Sequence, residues 1–172
     1  MHFDLSQLVR APYYDKYIEL VQETDLSLEL ISSKNLFLSE VGEIPVNKLS
    51  FSYASGKWTT AEVLLHIIET EVIFNYRALR ISRDAKPEPL AGYDDERYMS
   101  AARKDALDLP FILEYFESVR NSTISMLKTL QSNDFQKRGL ANSQDIQVAA
   151  LFFVTSGHCR HHLNILKSKY LQ

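Results

Sequence analysis

The feature that most constrains the fold is a helical pattern that extends from residue 59 to residue 83. It opens with Thr59 and Glu62, a hydroxyl and a carboxylate three positions apart, which form a capping box at a helix start. Arginines cluster near its end, where positive charge complements the helix dipole. The apolar residues recur at helical spacing and are Val63, Leu64, Ile67, Ile68, Ile73, Phe74 and Leu79. The pattern predicts one long helix with an apolar surface.

Three further helical patterns accompany it. They cover residues 12–42, with an interruption near Thr24 and Asp25, residues 108–131, with Asp108 as the cap, and residues 146–171. The connections are residues 43–57, 84–93 and 132–144, and a short helix is expected over residues 94–104. No stretch has the features of a strand, and five Gly and five Pro are few for a β fold. We therefore predict an all-α four-helix bundle, in which the long crossover 84–107 allows two consecutive helices to run parallel.

Composition narrows the class of protein. The chain has 172 residues, 45% of them hydrophobic, which predicts one domain over residues 1–172 with a sizeable core. The net charge of -3 argues against a duplex nucleic-acid partner. The longest apolar run, residues 148–154, is too short to span a bilayer, and the N-terminus has no signal-peptide pattern. Cys159 is the one cysteine, which rules out an internal disulfide and fits a cytoplasmic location.

Residues 157–162 concentrate three of the five histidines in the last predicted helix. His158 and His162 are four positions apart, so they share a helix face from which two imidazoles can reach one Zn²⁺ or Ni²⁺ ion. His161 lies about 60° to the other side of His158 and could replace one of them. The competing interpretation is a solvated polar tip beside Arg160. The pair alone leaves both interpretations open.

A fourth histidine, His66, interrupts the otherwise apolar run of residues 63–68. A lone histidine in such a run is more often a core residue bonded to a neighbour. Glu62, Glu69 and Thr70 flank it on the same side, however, and this polar strip indicates a wet cleft. Three imidazoles from two helices also match the ligand count of an open catalytic zinc site, which keeps a position for water. We therefore favour a metal site formed by His66 and the pair on the last helix.

Two neighbours of that pair have predicted roles of their own. Gly157 stands inside a helix at a cost of about 1 kcal/mol relative to Ala, which indicates close approach of another helix or a ligand. Cys159 points away from the face of the two histidines. We interpret it as a small buried packing residue rather than a ligand or nucleophile.

Several stretches, in order along nearly the whole chain, resemble the DinB/YfiT-like superfamily of metal-binding four-helix bundles. They are residues 56–66, 69–71, 76–80, 89–94, 119–123, 157–166 and 170–171. The resemblance implies that the family's metal triad falls on His66, His158 and His162. It departs from the family at Cys159, a position that is often acidic or bulky and lies outside the triad. It further implies an up-down-down-up bundle and a homodimer.

The resemblance also implies several reactions. Characterised members include S-transferases that use bacillithiol, mycothiol or glutathione, so our leading hypothesis is a transferase whose divalent metal, Zn²⁺ or Ni²⁺, holds a low-molecular-weight thiol as the thiolate. Arg77 or Arg80 would bind a carboxylate of the thiol or the small-molecule substrate, or would only complement the helix dipole. One alternative is hydrolysis of a small ester or amide, with Glu62 or Glu69 as the general base. The other is a non-catalytic bundle that binds a metal or a small molecule.

Overall fold

The computed structural model of the chain describes residues 1–103 and 107–172. Its α-helices are α1 (Asp15–Ile18), α2 (Leu26–Gly42), α3 (Thr60–Arg83), α4 (Asp95–Ala101), α5 (Leu109–Leu127), α6 (Ser132–Gln136) and α7 (Val148–Ile165). Short 3₁₀ turns occur at Leu5–Gln7, Pro12–Tyr14 and Val46–Lys48, and a π-helical turn at Leu166–Tyr170 extends α7. The four long helices α2, α3, α5 and α7 pack against one another. The predicted helical architecture with four long helices is therefore confirmed.

Helix α3 begins and ends where the sequence pattern predicts. The Thr59 hydroxyl accepts a hydrogen bond from the Glu62 backbone N–H at 3.2 Å, and the Glu62 carboxylate accepts one from the Thr59 N–H at 2.7 Å. This is the predicted capping box. The helix ends at Arg83, and Asp84 is already extended. Sixteen residues of α3 are buried, and they include His66, which belongs to the site described below.

The first predicted helix is much shorter than expected. After α1 the chain leaves the helical conformation, and α2 starts afresh at Leu26 with Asp25 as its cap. The carboxylate of Glu29 accepts hydrogen bonds from the backbone of Gln22 and Glu23, which holds this connection in a non-helical path. The predicted interruption near Thr24 and Asp25 is thus confirmed, but the helix before it is only one turn long.

A β-hairpin corrects the expectation that the chain contains no strand. Strands β1 (Arg138–Ala141) and β2 (Gln144–Gln147) pair antiparallel where a loop is predicted. Asn142 and Ser143 turn the chain with positive φ values of 52° and 60°, the backbone geometry that two-residue hairpins prefer. Each strand has only four residues and is partly exposed to solvent. Neither sequence therefore shows the alternation of apolar and polar residues by which a strand is predicted. Because β2 includes Ile146, α7 begins two residues later than predicted.

The crossover between α3 and α5 contains the expected short helix. Asp94 caps α4 by accepting a hydrogen bond from the Arg97 N–H at 3.0 Å. The predicted end of this helix at Lys104 lies outside the described residues. Asp108 caps α5 as predicted, through the Phe111 N–H at 2.8 Å, but α5 ends at Leu127, four residues before the predicted end.

Polar side chains buried in the bundle tie its helices together. Arg120 of α5 donates from Nε and Nη2 to the two carboxylate oxygens of Glu71 on α3, each at 2.8 Å. Its Nη1 donates to Ser33 Oγ on α2 at 2.6 Å. Arg160 of α7 donates to Glu29 of α2 at 2.9 Å. These contacts fix α3 and α7 relative to the other helices, and α3 and α7 carry the histidines. In the described part of the chain, no helix combines the length and the apolar character needed to cross a membrane.

Candidate metal centre

Three imidazoles from two helices converge on one point. His66 comes from α3, and His158 and His162 come from successive turns of α7. One ring nitrogen of each residue lies within 4.8 Å of the others. The closest pair is His66 Nε2 and His158 Nε2, 3.1 Å apart. Two such nitrogens repel each other through their lone pairs unless a proton or a cation lies between them. The sequence-based prediction that these residues meet agrees with the geometry.

Burial keeps the three imidazoles neutral. Burial lowers the pKa of His66 to about 4, and the nearby Asp95 carboxylate only partly opposes this. Burial also holds the pKa values of His158 and His162 well below the usual range, and the neighbouring histidines and Lys16 lower them further. At neutral pH each ring therefore has a free lone pair. Three neutral nitrogen donors on fixed helices are a donor set that suits Zn²⁺ or Ni²⁺.

Neighbouring side chains orient the His66 ring. The Thr70 hydroxyl lies 3.5 Å from His66 Nδ1, and Thr70 Oγ1 is 2.7 Å from the hydroxyl oxygen of Tyr93. The Trp58 ring packs against His66 with a centroid distance of 4.9 Å. On the other side, the Tyr17 ring meets His158 edge-on at 5.3 Å. Outer contacts of this kind set the tautomer and direction of a histidine ligand.

The histidines line a pocket of about 330 Å³, a volume that suits a small molecule. Its wall is built from the N-terminal turns, α3, the crossover, the hairpin turn and α7. The lining residues are Tyr13, Tyr14, Lys16, Tyr17, Trp58, His66, Thr70, Phe74, Arg77, Tyr93, Asp95, Asn142, His158, His161 and His162. Six of the fifteen are Phe, Trp or Tyr, four are histidines and three are charged, so the pocket offers both stacking surfaces and fixed charges.

The structure brings one of the three predicted catalytic residues to the pocket. Arg77 lines it, and its Nη2 donates to Ala91 O at 3.0 Å. Glu62 is occupied at the N-terminus of α3, where its carboxylate also accepts from Thr59 Oγ1 at 2.8 Å. Glu69 is half-buried on a face of α3 that lies near Tyr115 of α5, and burial raises its pKa. Neither glutamate lines the pocket, because capping holds the first and the helix rotation points the second towards α5.

Sequence reasoning missed the pocket residues that come from the chain's turns. Asp95, the first residue of α4, supplies a carboxylate, and its only signal was its place beside the helix cap. We call residues 13–17 the tyrosine segment. It contributes three tyrosines and Lys16, whose Nζ lies 4.2 Å from the Tyr13 ring centroid and 4.8 Å from that of Tyr17. The density of tyrosines in this segment was the available signal.

The two remaining residues of interest on α7 have different surroundings. His161 is half-buried, lines the pocket and meets the Tyr17 ring at 5.3 Å. Cys159 is fully buried, and burial raises the pKa of its thiol to about 12. Gly157 faces the backbone of Tyr17, with no room for a side chain. The close approach predicted at this glycine is the contact with the N-terminal turns.

The fold and the site define a helical bundle with a three-histidine cluster in the wall of a pocket. The chain belongs to the DinB superfamily, whose family model matches residues 29–166. No curated protein matches the sequence. Among solved structures, the chain is similar to YfiT from Bacillus subtilis, described as a probable metal-dependent hydrolase with an unusual four-helix bundle topology. The TM-score is 0.66 at 15% identity, with 97% of this chain and 91% of that chain covered, so the likeness shows a shared fold.

Proposed function

We propose that the protein is a divalent-metal-dependent hydrolase of a small ester or amide. The observation that carries the proposal is the convergence of His66, His158 and His162 at the wall of a pocket that also contains a carboxylate. The three histidines would hold Zn²⁺ or Ni²⁺ through neutral nitrogens. A cation in such a site lowers the pKa of a coordinated water to about 7 and polarises a carbonyl.

Asp95 is the proposed general base. It lines the pocket, and its charge acts on His66, so it lies on the histidine side of the cavity. A carboxylate there can accept the proton of an attacking water and return it to the leaving group. Glu62 and Glu69, predicted for this role, would first have to leave the cap of α3 and the face near α5. Asp95 needs no such rearrangement.

The hydrolysis test compares the native chain with His162→Ala on a panel of small esters and amides, with and without added Zn²⁺ or Ni²⁺. We expect metal-dependent turnover by the native chain and its loss in the variant. His2→Ala serves as the matched control, because His2 is exposed and is not one of the residues that line the pocket. Equal rates for the native chain and His162→Ala would remove the metal from the mechanism.

A thiol-dependent S-transferase is the second candidate. Two observations are in its favour. Cys159 is buried, so the pocket has no thiol of its own and a thiol would have to come from a substrate. Lys16 and Arg77 line the pocket and could bind the negative charge of an acidic thiol. A thiol-consumption assay with a haloarene, with and without each metal, separates the candidates. Consumption of thiol without ester or amide turnover favours the transferase, and no consumption with any metal excludes it.

We also propose the up-down-down-up order for the four long helices. Contacts at two levels along three pairs of neighbouring helices support it. Along α3 and α5, Glu71 contacts Arg120 and Arg83 contacts Thr129, so residue numbers rise together and the two helices are parallel. Along α2 and α7, Glu29 contacts Arg160 and Glu40 contacts Lys167, so these helices are also parallel. Along α3 and α7, His66 contacts His158 and Trp58 contacts Tyr170, so the numbers run in opposite directions and the helices are antiparallel. The long crossover between α3 and α5 allows the parallel pair.

A homodimer completes the proposal. Val72, Tyr76 and Leu79 lie at helical spacing on the outer face of α3 and are 41%, 50% and 43% exposed. An apolar stripe of this kind on a long helix is a suitable surface for a second copy of the chain. The pocket lies on the opposite side of α3, so such a dimer would leave the pocket open.

A further inference from the structure

Arg77 carries a buried charge that has no counter-ion in the described part of the chain. The residue is 3% exposed, its Nη2 donates to the carbonyl oxygen of Ala91 at 3.0 Å, and its guanidinium also hydrogen-bonds with the Tyr14 hydroxyl. None of the ion pairs within residues 1–103 and 107–172 includes it. An unpaired charge inside a protein is costly, because burial removes its hydration. The cost is understandable when a ligand provides the missing negative charge.

The free donors of Arg77 are reached from the pocket. A guanidinium has five N–H groups, and the contacts with Ala91 and with the Tyr14 hydroxyl account for two of them. Among the described residues, Asn75 Oδ1 is the side-chain polar atom that is both fully buried and without a hydrogen-bond partner. No nitrogen of Arg77 is in that state, so its unused nitrogens are not fully buried in the core. Because Arg77 lines the pocket, these nitrogens face the space that a small molecule would occupy.

An aromatic surface separates this guanidinium from the histidines. His66, Thr70, Phe74 and Arg77 recur along one face of α3, and Arg77 starts about 16 Å along the helix axis from His66. The Phe74 ring centroid lies 6.3 Å from that of His158 and 5.9 Å from Arg77 Cζ. The Phe74 ring therefore gives the pocket an apolar surface between the histidines and the guanidinium.

The carboxylate of Asp95 does not neutralise Arg77. Asp95 also lines the pocket, but no ion-pair contact joins it to Arg77 among the described residues, and its charge acts on His66. A planar guanidinium matches a carboxylate through two parallel hydrogen bonds, which a neutral amide cannot reproduce. The shape and the charge of this end of the pocket fit a carboxylate.

We propose, on the basis of the hydrolysis described above, that the substrate is a carboxylic acid in which an apolar spacer separates the carboxylate from the bond that is cleaved. The guanidinium of Arg77 binds the carboxylate, the ring of Phe74 packs against the spacer, and the ester or amide lies at the three histidines. Arg77 is thus the residue that determines which class of ester or amide enters the pocket.

The test measures binding rather than turnover. The metal-free native chain is titrated calorimetrically with 3-phenylpropionate and with the neutral 3-phenylpropionamide. We expect the acid to bind about ten-fold more tightly, as a charge-assisted pair predicts, and the ratio to fall to about one in Arg77→Gln. Arg80→Gln is the matched control, because Arg80 is exposed on the same helix and donates to the Tyr76 hydroxyl outside the pocket. This control keeps the native ratio.

Each contrary outcome overturns the proposal. Equal binding of acid and amide by the native chain, or no binding of either at millimolar concentration, does so without any variant. An unchanged ratio in Arg77→Gln does the same. If circular dichroism shows that Arg77→Gln is unfolded, Arg77→Lys replaces it. A preference for the acid over the amide in Arg77→Lys that is as large as in the native chain would overturn the proposed role of the planar guanidinium. Acid preference without hydrolysis refutes only the hydrolase, and hydrolysis without acid preference refutes only this inference.

Discussion

Gly157 of α7 lies directly against the backbone of Tyr17, so that a methyl group on Gly157 would overlap the carbonyl oxygen of Tyr17. This contact places the tyrosine segment over the histidines, with the Tyr17 ring between His158 and His161. The match to the DinB superfamily begins at residue 29, so this wall of the pocket lies outside the matched region. A glycine on the last helix therefore decides how the N-terminal turns close the site.

Replacing Gly157 with alanine is expected to destabilise the protein by about 1–3 kcal/mol, because the new methyl group meets backbone, which cannot swing away. The loss of about 1–3 kcal/mol is the net value that remains after the gain of about 1 kcal/mol that alanine brings to a helix. Urea denaturation measures the free energy of unfolding. Gly42→Ala is the control, since nothing lies within 4 Å of the added atom and it should not lower stability. A Gly157→Ala variant as stable as the native chain would contradict the contact.

Metal binding should quench the fluorescence of Trp58. It is the one tryptophan in the chain, and its ring lies 4.9 Å from the ring of His66. Titration with Ni²⁺ is expected to quench the emission and saturate at one equivalent. His66→Ala should weaken binding by more than the roughly 10–100-fold that follows loss of an outer contact. His2→Ala should titrate like the native chain. Saturation at one equivalent in His66→Ala would place the metal elsewhere.

Cys159 should resist thiol reagents while the chain is folded. Its pKa of about 12 leaves roughly one part in ten thousand as thiolate at pH 8, and the side chain is fully buried. Iodoacetamide should therefore label it only after denaturant is added, as mass spectrometry can show. Rapid labelling of the folded chain would instead point to an accessible, activated thiol and would reopen Cys159 as a nucleophile.

Replacing Arg120 with methionine is expected to cost about 3–5 kcal/mol of unfolding free energy, because it leaves the Glu71 carboxylate buried without its partner. Lys34→Met removes a partly exposed partner of Glu117 and should cost at most about 1 kcal/mol. Chemical denaturation of the two variants gives the comparison. Similar losses of unfolding free energy in the two variants would show that the buried pair of Arg120 and Glu71 contributes no more to stability than the surface pair.

Replacing Tyr76 with glutamate should convert the proposed dimer into a monomer with the pocket intact. The change puts a charge in the middle of the exposed stripe on α3. Light scattering after size exclusion measures the mass, and Trp58 quenching by Ni²⁺ reports on the pocket. Tyr98→Glu is the control, because Tyr98 is equally exposed but lies on α4. A dimer that survives Tyr76→Glu would place the interface on another face.

Local patterns were sufficient for much of the molecule. Thr59 with Glu62 identified the start of α3, and Asp108 identified the start of α5, because capping depends on neighbours in sequence. The spacing of His158 and His162 placed both on one face of α7, since helix geometry alone requires it. The hairpin was missed because its pairing rests on two left-handed turn residues rather than on an apolar alternation.

The sequence by itself determined the long helices and the three histidines that they carry. Only the tertiary structure decided what surrounds them. It holds Glu62 in a helix cap, turns Glu69 towards α5, and brings Asp95 and the tyrosine segment to the pocket. The physical reason is that helical position follows from contacts a few residues apart, whereas a pocket assembled from turns depends on how distant segments pack. The contact between Gly157 and Tyr17, 140 positions apart in sequence, is an example.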